Sequence, residues 1–509
     1  MAECDAHQST TGLAMQSMLL AGTTHYIQVD LSRSDCGQQL AAGLLRAGLK
    51  RVHVVIQLAG TGWVGPIASQ VEQSVNASVN INLRAPALCT KHLLPLLGLK
   101  QDDPATKTSK LVYISSIVSQ KPTPMFAVYT ATKAAVDHLA WSLSTEFSDS
   151  NVLVQVFHPG ATRTNFHRNA GVPDGAFDRS KFATPLQMAT NLCDRIDYSL
   201  DFRSTFGTLQ ERLGFYLGWL LPQRAWRWYK NRSLITRSHN QPRIGDMVHC
   251  VVTGGSKGIG QALVESRPPN HSVISLERRC PAESVSDTVV HKEVDIGCCT
   301  VAELKTILGS HPVDILINNA GVNFSGRLSY LSDEQIDTII RVNVVGPILL
   351  AIACLQKNLE FAAAPPLLCF VSSMSHYFSY PGSCVYGASK DALASFAKSL
   401  GFMLSGTSNV LTVFPGPTRT DQAKENSPAM TVEEEEARAK NRLDPKVTAR
   451  ETWEAIARGD ATLVPGAGIR AMAAKAARDP DWAAEMMKKT QLEPLMAKHS
   501  FENNGDPGL

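Results

Sequence analysis

The chain has 509 residues, of which 44% are hydrophobic and 19% are charged. This length suits two domains of about 250 residues each, because a single hydrophobic core rarely grows larger. A net charge of +3 gives no support for a nucleic-acid-binding surface or for binding to an anionic membrane. No apolar run reaches the roughly 18 residues that a transmembrane helix needs, so we expect no integral membrane segment.

The short apolar patch from Leu13 to Ala21 has no basic flank, so we do not expect a signal peptide. The 11 cysteines are an odd number and include no Cys-x-x-Cys pair, a pattern that predicts reduced thiols. The histidines have no ligand spacing, so no metal site is expected. These features together favour a cytoplasmic protein.

The predicted elements begin with an internal repeat. Each half contains, in the same order, an Ala-Gly pair, an Asn, the second Ser of a Ser-Ser pair, Tyr-x-x-x-Lys and Pro-Gly. In the first half, copy one, these are Ala59-Gly60, Asn82, Ser116, Tyr129, Lys133 and Pro159-Gly160. In the second half, copy two, they are Ala320-Gly321, Asn343, Ser373, Tyr386, Lys390 and Pro415-Gly416.

In copy two the pattern alternates between strands and helices. Val313 to Ile317 and Leu367 to Ser372 read as buried strands, whereas Asp333 to Gln356 and the stretch after Tyr386 read as helices. Such alternation predicts a Rossmann-like, doubly wound parallel sheet covered by helices on both faces. The fold class expected is therefore α/β, with two tandem domains of this kind.

The two copies differ at their front ends. Copy two opens with an apolar strand, Val248 to Val252, and the glycine turn Thr253 to Gly260. Copy one has no such turn, so it is expected to lack its N-terminal βαβ portion. The polar stretch Ser233 to Asp246 predicts the boundary, which gives an incomplete domain over 1–240 and a complete one over 247–509.

The glycine turn in copy two has a chemical purpose. Its glycines permit a tight turn and close approach of the backbone to a pyrophosphate at the start of a helix. Residues that follow later strands are expected to complete a dinucleotide site. The predicted cofactor-binding residues are Gly254, Ser256, Lys257, Gly258, Ile259, Gly260, Arg278, Asp295, Asn319, Ala320, Gly321, Tyr386, Lys390, Pro415, Gly416 and Thr418.

Four residues of copy two are the candidate catalytic set. Tyr386 and Lys390 are four positions apart on one helix face, so the ammonium is expected to favour the phenolate. The tyrosine then passes a proton to or from a substrate oxygen during hydride transfer. Ser373 is expected to hold that oxygen, and Asn343 to anchor a water that relays protons to Lys390.

These motifs resemble the short-chain dehydrogenase/reductase family over about Met247 to Gly468. The resemblance rests on the glycine turn, Asn318 to Gly321, Asn343, Ser373, Tyr386-x-x-x-Lys390 and Pro415-Gly416. It implies a Rossmann fold, an Asn–Ser–Tyr–Lys tetrad and assembly as dimers or tetramers. His25 to Gly171 resembles the same family, although Gln57 to Gly60 replaces the Asn-Asn-Ala-Gly motif.

The choice of nicotinamide cofactor depends on the second strand of copy two. Its end offers an acid, Glu277, which suits the ribose of NAD, and a base, Arg278, which suits the 2′-phosphate of NADP. Lys257 adds a second base, and the family resemblance treats this pair of bases as an NADP pattern. The sequence therefore favours NADP and leaves NAD open.

The predicted function is hydride transfer between NAD(P)H and a small-molecule carbonyl or alcohol, carried by copy two. An NADPH-dependent ketone or 3-oxoacyl-type reductase is favoured. The alternative is a nicotinamide-binding regulatory or scaffold protein without turnover. Copy one is expected to pack on copy two as an intrachain pseudo-dimer, with no nucleic-acid partner. Three questions stay open: whether copy one is catalytic, whether it comes from a truncated coding sequence, and whether the chain forms homo-oligomers.

Overall fold

A computed structural model describes residues 13–20, 23–99, 109–172, 180, 182–198, 204–206, 247–280, 286–404, 409–420 and 442–487. The predicted boundary stretch Ser233 to Asp246 lies outside these residues. So do Phe215 to Tyr229, an aromatic segment that the sequence predicts to dock on the other copy, and Asp421 to Met430, where the family resemblance implies a substrate lid. The division into 1–240 and 247–509 therefore stays a prediction.

Copy one contains an incomplete sheet. Its strands are β1 (Leu13–Leu20), β2 (Thr23–Asp30), β3 (Val54–Gln57), β4 (Ser109–Ile114), β5 (Val152–His158) and β6 (Ser204–Phe206). Strands β3 to β6 form a parallel four-stranded sheet in that order, whereas β2 pairs antiparallel with β1. Within the described residues β3 is an edge strand. A complete doubly wound sheet has further parallel strands beyond this position.

The helices of copy one cover this sheet. They are α1 (Cys36–Arg46), α2 (Glu72–Val79), α3 (Ala85–Leu93), α4 (Ala127–Glu146), α5 (Phe166–Asn169) and α6 (Pro185–Tyr198). A π-helical segment, Asn80–Arg84, joins α2 to α3. Residues Leu13–Leu20 of the apolar N-terminal patch form strand β1, which pairs with β2 along its length.

Copy two forms a complete sheet. Its strands are β7 (Val248–Thr253), β8 (His271–Glu277), β9 (Val289–Glu293), β10 (Ile315–Asn318), β11 (Leu367–Val371), β12 (Val410–Val413) and β13 (Thr462–Leu463). All pairs are parallel, and the order is β13-β12-β11-β10-β7-β8-β9. The order reverses between β10 and β7, where doubly wound sheets bind ligands beyond the strand ends. The fold class expected from the sequence is confirmed.

Most helices of copy two connect these strands, and the last two follow β13. They are α7 (Gly258–Glu265), α8 (Val301–Ile307), α9 (Asp333–Ile340), α10 (Gly346–Glu360), α11 (Cys384–Met403), α12 (Pro445–Arg458), α13 (Ala467–Arg478) and α14 (Pro480–Met487). The helix expected over Asp333 to Gln356 runs on to Glu360 and includes a π-helical segment, Arg341–Val345. Of the described helices this one is long and apolar enough to cross a membrane, but 83% of its most apolar window is buried in the fold, as in a core helix.

The two copies share one hydrophobic core, which includes residues from both sheets. At its centre α4 of copy one packs on α11 of copy two. Small residues allow a close approach: a Cβ at Gly387 on α11 would lie 2.4 Å from His138 Nε2 on α4. Each helix is therefore buried against its own sheet and against the other helix.

A second contact between the copies joins α3 and its preceding turn to α9. The Arg84 guanidinium, 3% exposed, lies 2.6 Å from the Asp337 carboxylate. Asp333 accepts hydrogen bonds from Lys91 at 2.5 Å and contacts His92 at 2.9 Å. These ion pairs connect helices whose apolar faces are already packed, and they fix how the two copies align.

We predict that Asp337→Ala lowers the free energy of unfolding by about 3 kcal/mol, because the buried Arg84 loses its charged partner. Urea denaturation of the full chain measures the change. The control is Asp460→Ala, which removes an exposed ion pair with Arg458 at 2.8 Å and should cost less than about 1 kcal/mol. Equal small losses in both variants would show that the Arg84 pair does not stabilise the interface.

Candidate active site

The glycine turn of copy two has the geometry of a phosphate cradle. Gly254 and Gly258 have φ values of +68° and +58°, which residues with a Cβ rarely adopt. A Cβ at Gly260 would lie 2.0 Å from the Gly254 carbonyl oxygen, so only glycine fits there. Helix α7 starts at Gly258 without a side-chain cap on its N-terminal amides. These features fit the pyrophosphate of a dinucleotide.

Thr253, the last residue of β7, connects this turn to the end of β10. Its hydroxyl accepts hydrogen bonds from the Asn319 and Ala320 amides at 3.0 and 2.9 Å. The Asn319 side chain donates to the Thr253 carbonyl at 2.9 Å. The sequence pattern placed Thr253 in the glycine turn but did not predict that it would join the turn to the end of β10. The signal was a β-branched hydroxyl residue directly before the first glycine.

The charged residues of the predicted cofactor site lie in the turn itself and at the ends of β8 and β9. Lys257, Arg278 and Asp295 are exposed, and the Asp295 carboxylate accepts a hydrogen bond from the Gly297 amide at 3.0 Å. Glu277, by contrast, is 2% exposed and pairs with His291 on β9. Glu277 therefore points into the fold, whereas Lys257 and Arg278 face solvent.

The segment after β12 lies over the turn. A Cβ at Gly258 would lie 2.9 Å from Thr420 Cγ2, and the Thr418 hydroxyl donates to the Gly416 carbonyl at 2.9 Å. Pro415 is buried, and a Cβ at Gly416 would lie 2.7 Å from Ile469 Cδ1. Ser256 is half-buried within the turn, and Ile259 packs partly on the core.

Ser373, Tyr386 and Lys390 meet at the ends of β11 and α11. The Ser373 hydroxyl lies beside the Tyr386 phenol, near enough to affect its pKa as a hydrogen-bond partner. The Lys390 ammonium donates to the Val371 carbonyl at 3.0 Å and lies 5.9 Å from the centroid of the Tyr386 ring. A Cβ at Gly321 would lie 2.9 Å from Lys390 Nζ, which explains why the Asn318 to Gly321 motif ends in glycine.

Asn343 lies in the π-helical segment and holds the neighbouring loop. Its Oδ1 accepts from the Val322 amide at 2.8 Å, and its Nδ2 donates to the Val322 carbonyl and the Ser389 hydroxyl at 2.9 Å each. Asn343 is fully buried, and π-helical segments such as this one occur frequently at functional sites. The observed role is positional, and the relay water expected from the sequence stays a prediction.

Burial dominates the titration of the tyrosine and the lysine. It raises the pKa of Tyr386, although the hydrogen bond with Ser373 opposes this. Burial also lowers the pKa of Lys390 from 10.5 to about 8. The structure does not reproduce the expected lowering of the Tyr386 pKa by the lysine, because loss of hydration outweighs other effects on a buried phenol.

Copy one reproduces the contacts of the tetrad. Asn82 accepts from the Thr61 amide at 2.8 Å and donates to the Thr132 hydroxyl at 2.9 Å, as Asn343 does with Val322 and Ser389. Lys133 donates to the Ile114 carbonyl at 2.9 Å. Burial raises the pKa of Tyr129 to about 12, and the neighbouring Ser116 hydroxyl opposes this.

Two features distinguish copy one from copy two. Its described residues contain no strand and glycine turn before β3 in a parallel sheet, so they offer no phosphate cradle. The Tyr129 ring also lies among aromatic side chains, 5.1 Å from Phe166 and 6.1 Å from Phe126 between centroids. Within the described residues, the tetrad of copy one therefore has no phosphate cradle beside it.

Comparison with known proteins identifies the family. A family model described as short chain dehydrogenase matches residues 3–173 and again 248–431. The chain therefore belongs to the short-chain dehydrogenase family, with two copies in tandem. The family consists of NAD- or NADP-dependent oxidoreductases, and this chain is an enzyme of that class.

Three relatives show the level of similarity. Carbonyl reductase family member 4 of Xenopus laevis is 27% identical over 35% of this chain and 78% of its own length. L-xylulose reductase of Aspergillus niger is 30% identical over 34% of this chain and 67% of its own length. Carbonyl reductase [NADPH] 2 of Sus scrofa is 28% identical over 31% of this chain and 66% of its own length.

The buried lysine predicts a pH-dependent stability. Because the pKa of Lys390 is about 8 in the folded state and 10.5 ordinarily, the unfolded state binds more protons between these values. Stability should therefore increase as the pH rises from 8 to 10.5, by up to about 3 kcal/mol for this residue.

Lys390→Met should remove this rise and should be more stable than the wild type at pH 7. Urea denaturation at several pH values measures both effects. Lys133→Met is the matched variant, because the pKa of Lys133 is also lowered to about 8 by burial. An unchanged pH slope in both variants would contradict a buried ammonium in the folded state.

Proposed function

We propose that copy two catalyses reversible hydride transfer between NADPH and the carbonyl or alcohol group of a small molecule. A ketone or a 3-oxoacyl-type compound is the favoured substrate class. The observation that carries this proposal is the grouping of Ser373, Tyr386 and Lys390 beside a glycine turn that fits a dinucleotide. The names of the relatives, carbonyl reductases and a sugar reductase, support the same chemistry.

The proposed mechanism assigns one task to each residue. The nicotinamide supplies the hydride when it is bound. Tyr386 donates a proton to the substrate oxygen from its hydroxyl, and Ser373 holds that oxygen by a hydrogen bond. The Lys390 ammonium favours the phenolate that remains, and Asn343 holds the Val322 loop against the helix. In the oxidative direction Tyr386 accepts the proton.

The preference for NADPH rests on the charged residues around the turn. Arg278 and Lys257 are exposed, so an additional phosphate can reach both side chains. Glu277 is buried beside His291 and does not face the same space, which weakens the case for NAD. The bases would lose this advantage with NADH, which has only a ribose hydroxyl at that position.

Copy one is proposed to be non-catalytic in this chain. Asn82, Ser116, Tyr129 and Lys133 are in place, but catalysis depends on a nicotinamide held in register with them. The described residues of copy one provide no cradle for it. We further propose a cytoplasmic location, with the ten described cysteines all present as free thiols.

Tyr386→Phe should lower the rate of hydride transfer by about 10²–10⁴, because the general acid is lost. The binding of NADPH should stay within a few-fold of wild type. The absorbance change of the nicotinamide, with a panel of ketones and alcohols, measures the rate. Tyr129→Phe is the matched control and should leave the rate unchanged. A large loss from Tyr129→Phe alone would assign catalysis to copy one.

Calorimetry should show one NADPH site per chain and weaker binding of NADH. Arg278→Ala should reduce the preference by roughly 10- to 100-fold, since a charge-assisted contact is worth about 1.5–3 kcal/mol. Arg279→Ala, at the neighbouring exposed position, is the control. Tighter binding of NADH by the wild type, or two sites per chain, would contradict the proposal.

A further inference from the structure

The last turn of α4, in copy one, contacts the segment 379–382 of copy two. Ser142 Oγ accepts a hydrogen bond from the Tyr380 amide at 3.3 Å, and Thr145 Oγ1 lies 3.0 Å from Ser379 Oγ. Glu146 Oε2 accepts from the Gly382 amide at 3.3 Å. This segment connects Ser373 to Tyr386, so copy one holds the backbone between two residues of the candidate tetrad.

Glu146 also reaches a second loop of copy two. Its Oε1 accepts from the Leu328 amide at 3.1 Å, and the Gly326 amide donates to the Gly382 carbonyl at 2.8 Å. The Leu328 loop follows Gly321 and Val322, which contact Lys390 and Asn343. One carboxylate therefore joins the two loops that flank the tetrad.

The opposite end of the interface lacks this acceptor. Met403 is the last residue of α11, as Glu146 is of α4. The Met125 amide of copy one donates to Met403 Sδ at 3.2 Å, and Met125 has a φ of +72°, close to the +74° of Gly382. A thioether is a weak acceptor. Of the two equivalent residues, Glu146 is therefore the strong acceptor, and its hydrogen bonds go to the loops beside the active site of copy two.

We propose that Glu146 of copy one is a positioning residue for the active site of copy two, acting through the amides of Leu328 and Gly382. This inference rests on the proposed function of copy two. Copy one would then have a second role, the positioning of active-site loops, in addition to packing against copy two. Loss of the carboxylate would leave two amides without their acceptor and loosen the loops beside Ser373 and Tyr386.

The charge of Glu146 is sensitive to pH near neutrality. Burial raises its pKa to about 7, although the two amides and the nearby Arg327 oppose this. The Cys384 thiol and the Tyr113 phenol also lie within electrostatic range, and burial raises the pKa of both, so they stay neutral. Protonation weakens an acceptor of amide hydrogen bonds, so kcat should fall as the pH drops below about 7.

The test compares Glu146→Gln with wild type in the full chain. We expect kcat at pH 8 to fall about tenfold, with the dissociation constant of NADPH within twofold, because the cradle is formed by other loops. The decline of kcat below pH 7 should disappear. Met403→Leu, the matched control at the equivalent position, should keep kcat within twofold. Glu146→Asp, whose shorter carboxylate cannot hold both amides, should lose activity in the same direction if Glu146→Gln does not fold.

Hydrogen exchange at Leu328 and Gly382 separates this inference from the proposed function. Faster exchange at these two amides in Glu146→Gln supports positioning whether or not a substrate has been found. Unchanged exchange, or unchanged kcat and pH profile in an active enzyme, overturns it. Absence of any hydride transfer by the wild type would overturn the proposed function instead, and also the catalytic part of this inference.

Discussion

The packing of α4 against α11 is the constraint on which the rest of the structure depends. Both helices are buried on the side of their own sheet and on the side of the other helix. Separating the copies would expose apolar surface along two twenty-residue helices, at a cost of roughly 25 cal/mol for each Å². The core is continuous through this contact, so the copies are best understood as one folding unit.

This constraint explains how copy one can retain its tetrad while being, as proposed, non-catalytic. Its tetrad helix is also its interface helix, so substitutions along α4 affect the packing of copy two. Asn82 and Lys133 hold a loop and a strand end by buried hydrogen bonds, and their removal would leave buried polar groups unpaired. Retention of the tetrad is therefore compatible with loss of activity. The final turn of α4, with Glu146, extends the same interface to the loops beside Tyr386.

The site of copy two depends on opposing electrostatic effects. Burial makes the phenolate of Tyr386 and the ammonium of Lys390 both costly, as the raised and lowered pKa values show. Two groups that resist charging separately can stabilise each other when charged together. In the proposed reaction this mutual stabilisation favours proton transfer from Tyr386 only when the substrate oxygen has arrived, with Ser373 holding that oxygen by a hydrogen bond.

The sequence alone was enough to predict the doubly wound sheet, the repeat and the set of residues now found around the turn and the tetrad. These follow from local patterns, such as the glycines of residues 254–260 and the spacing of Tyr386 and Lys390, which impose the same local geometry in any context. Only the tertiary structure decided that Glu277 turns inward, that Asn343 holds a loop, and that Glu146 reaches Gly382. Each depends on contacts between segments distant along the chain, and no periodicity or spacing records which buried polar group will face which amide.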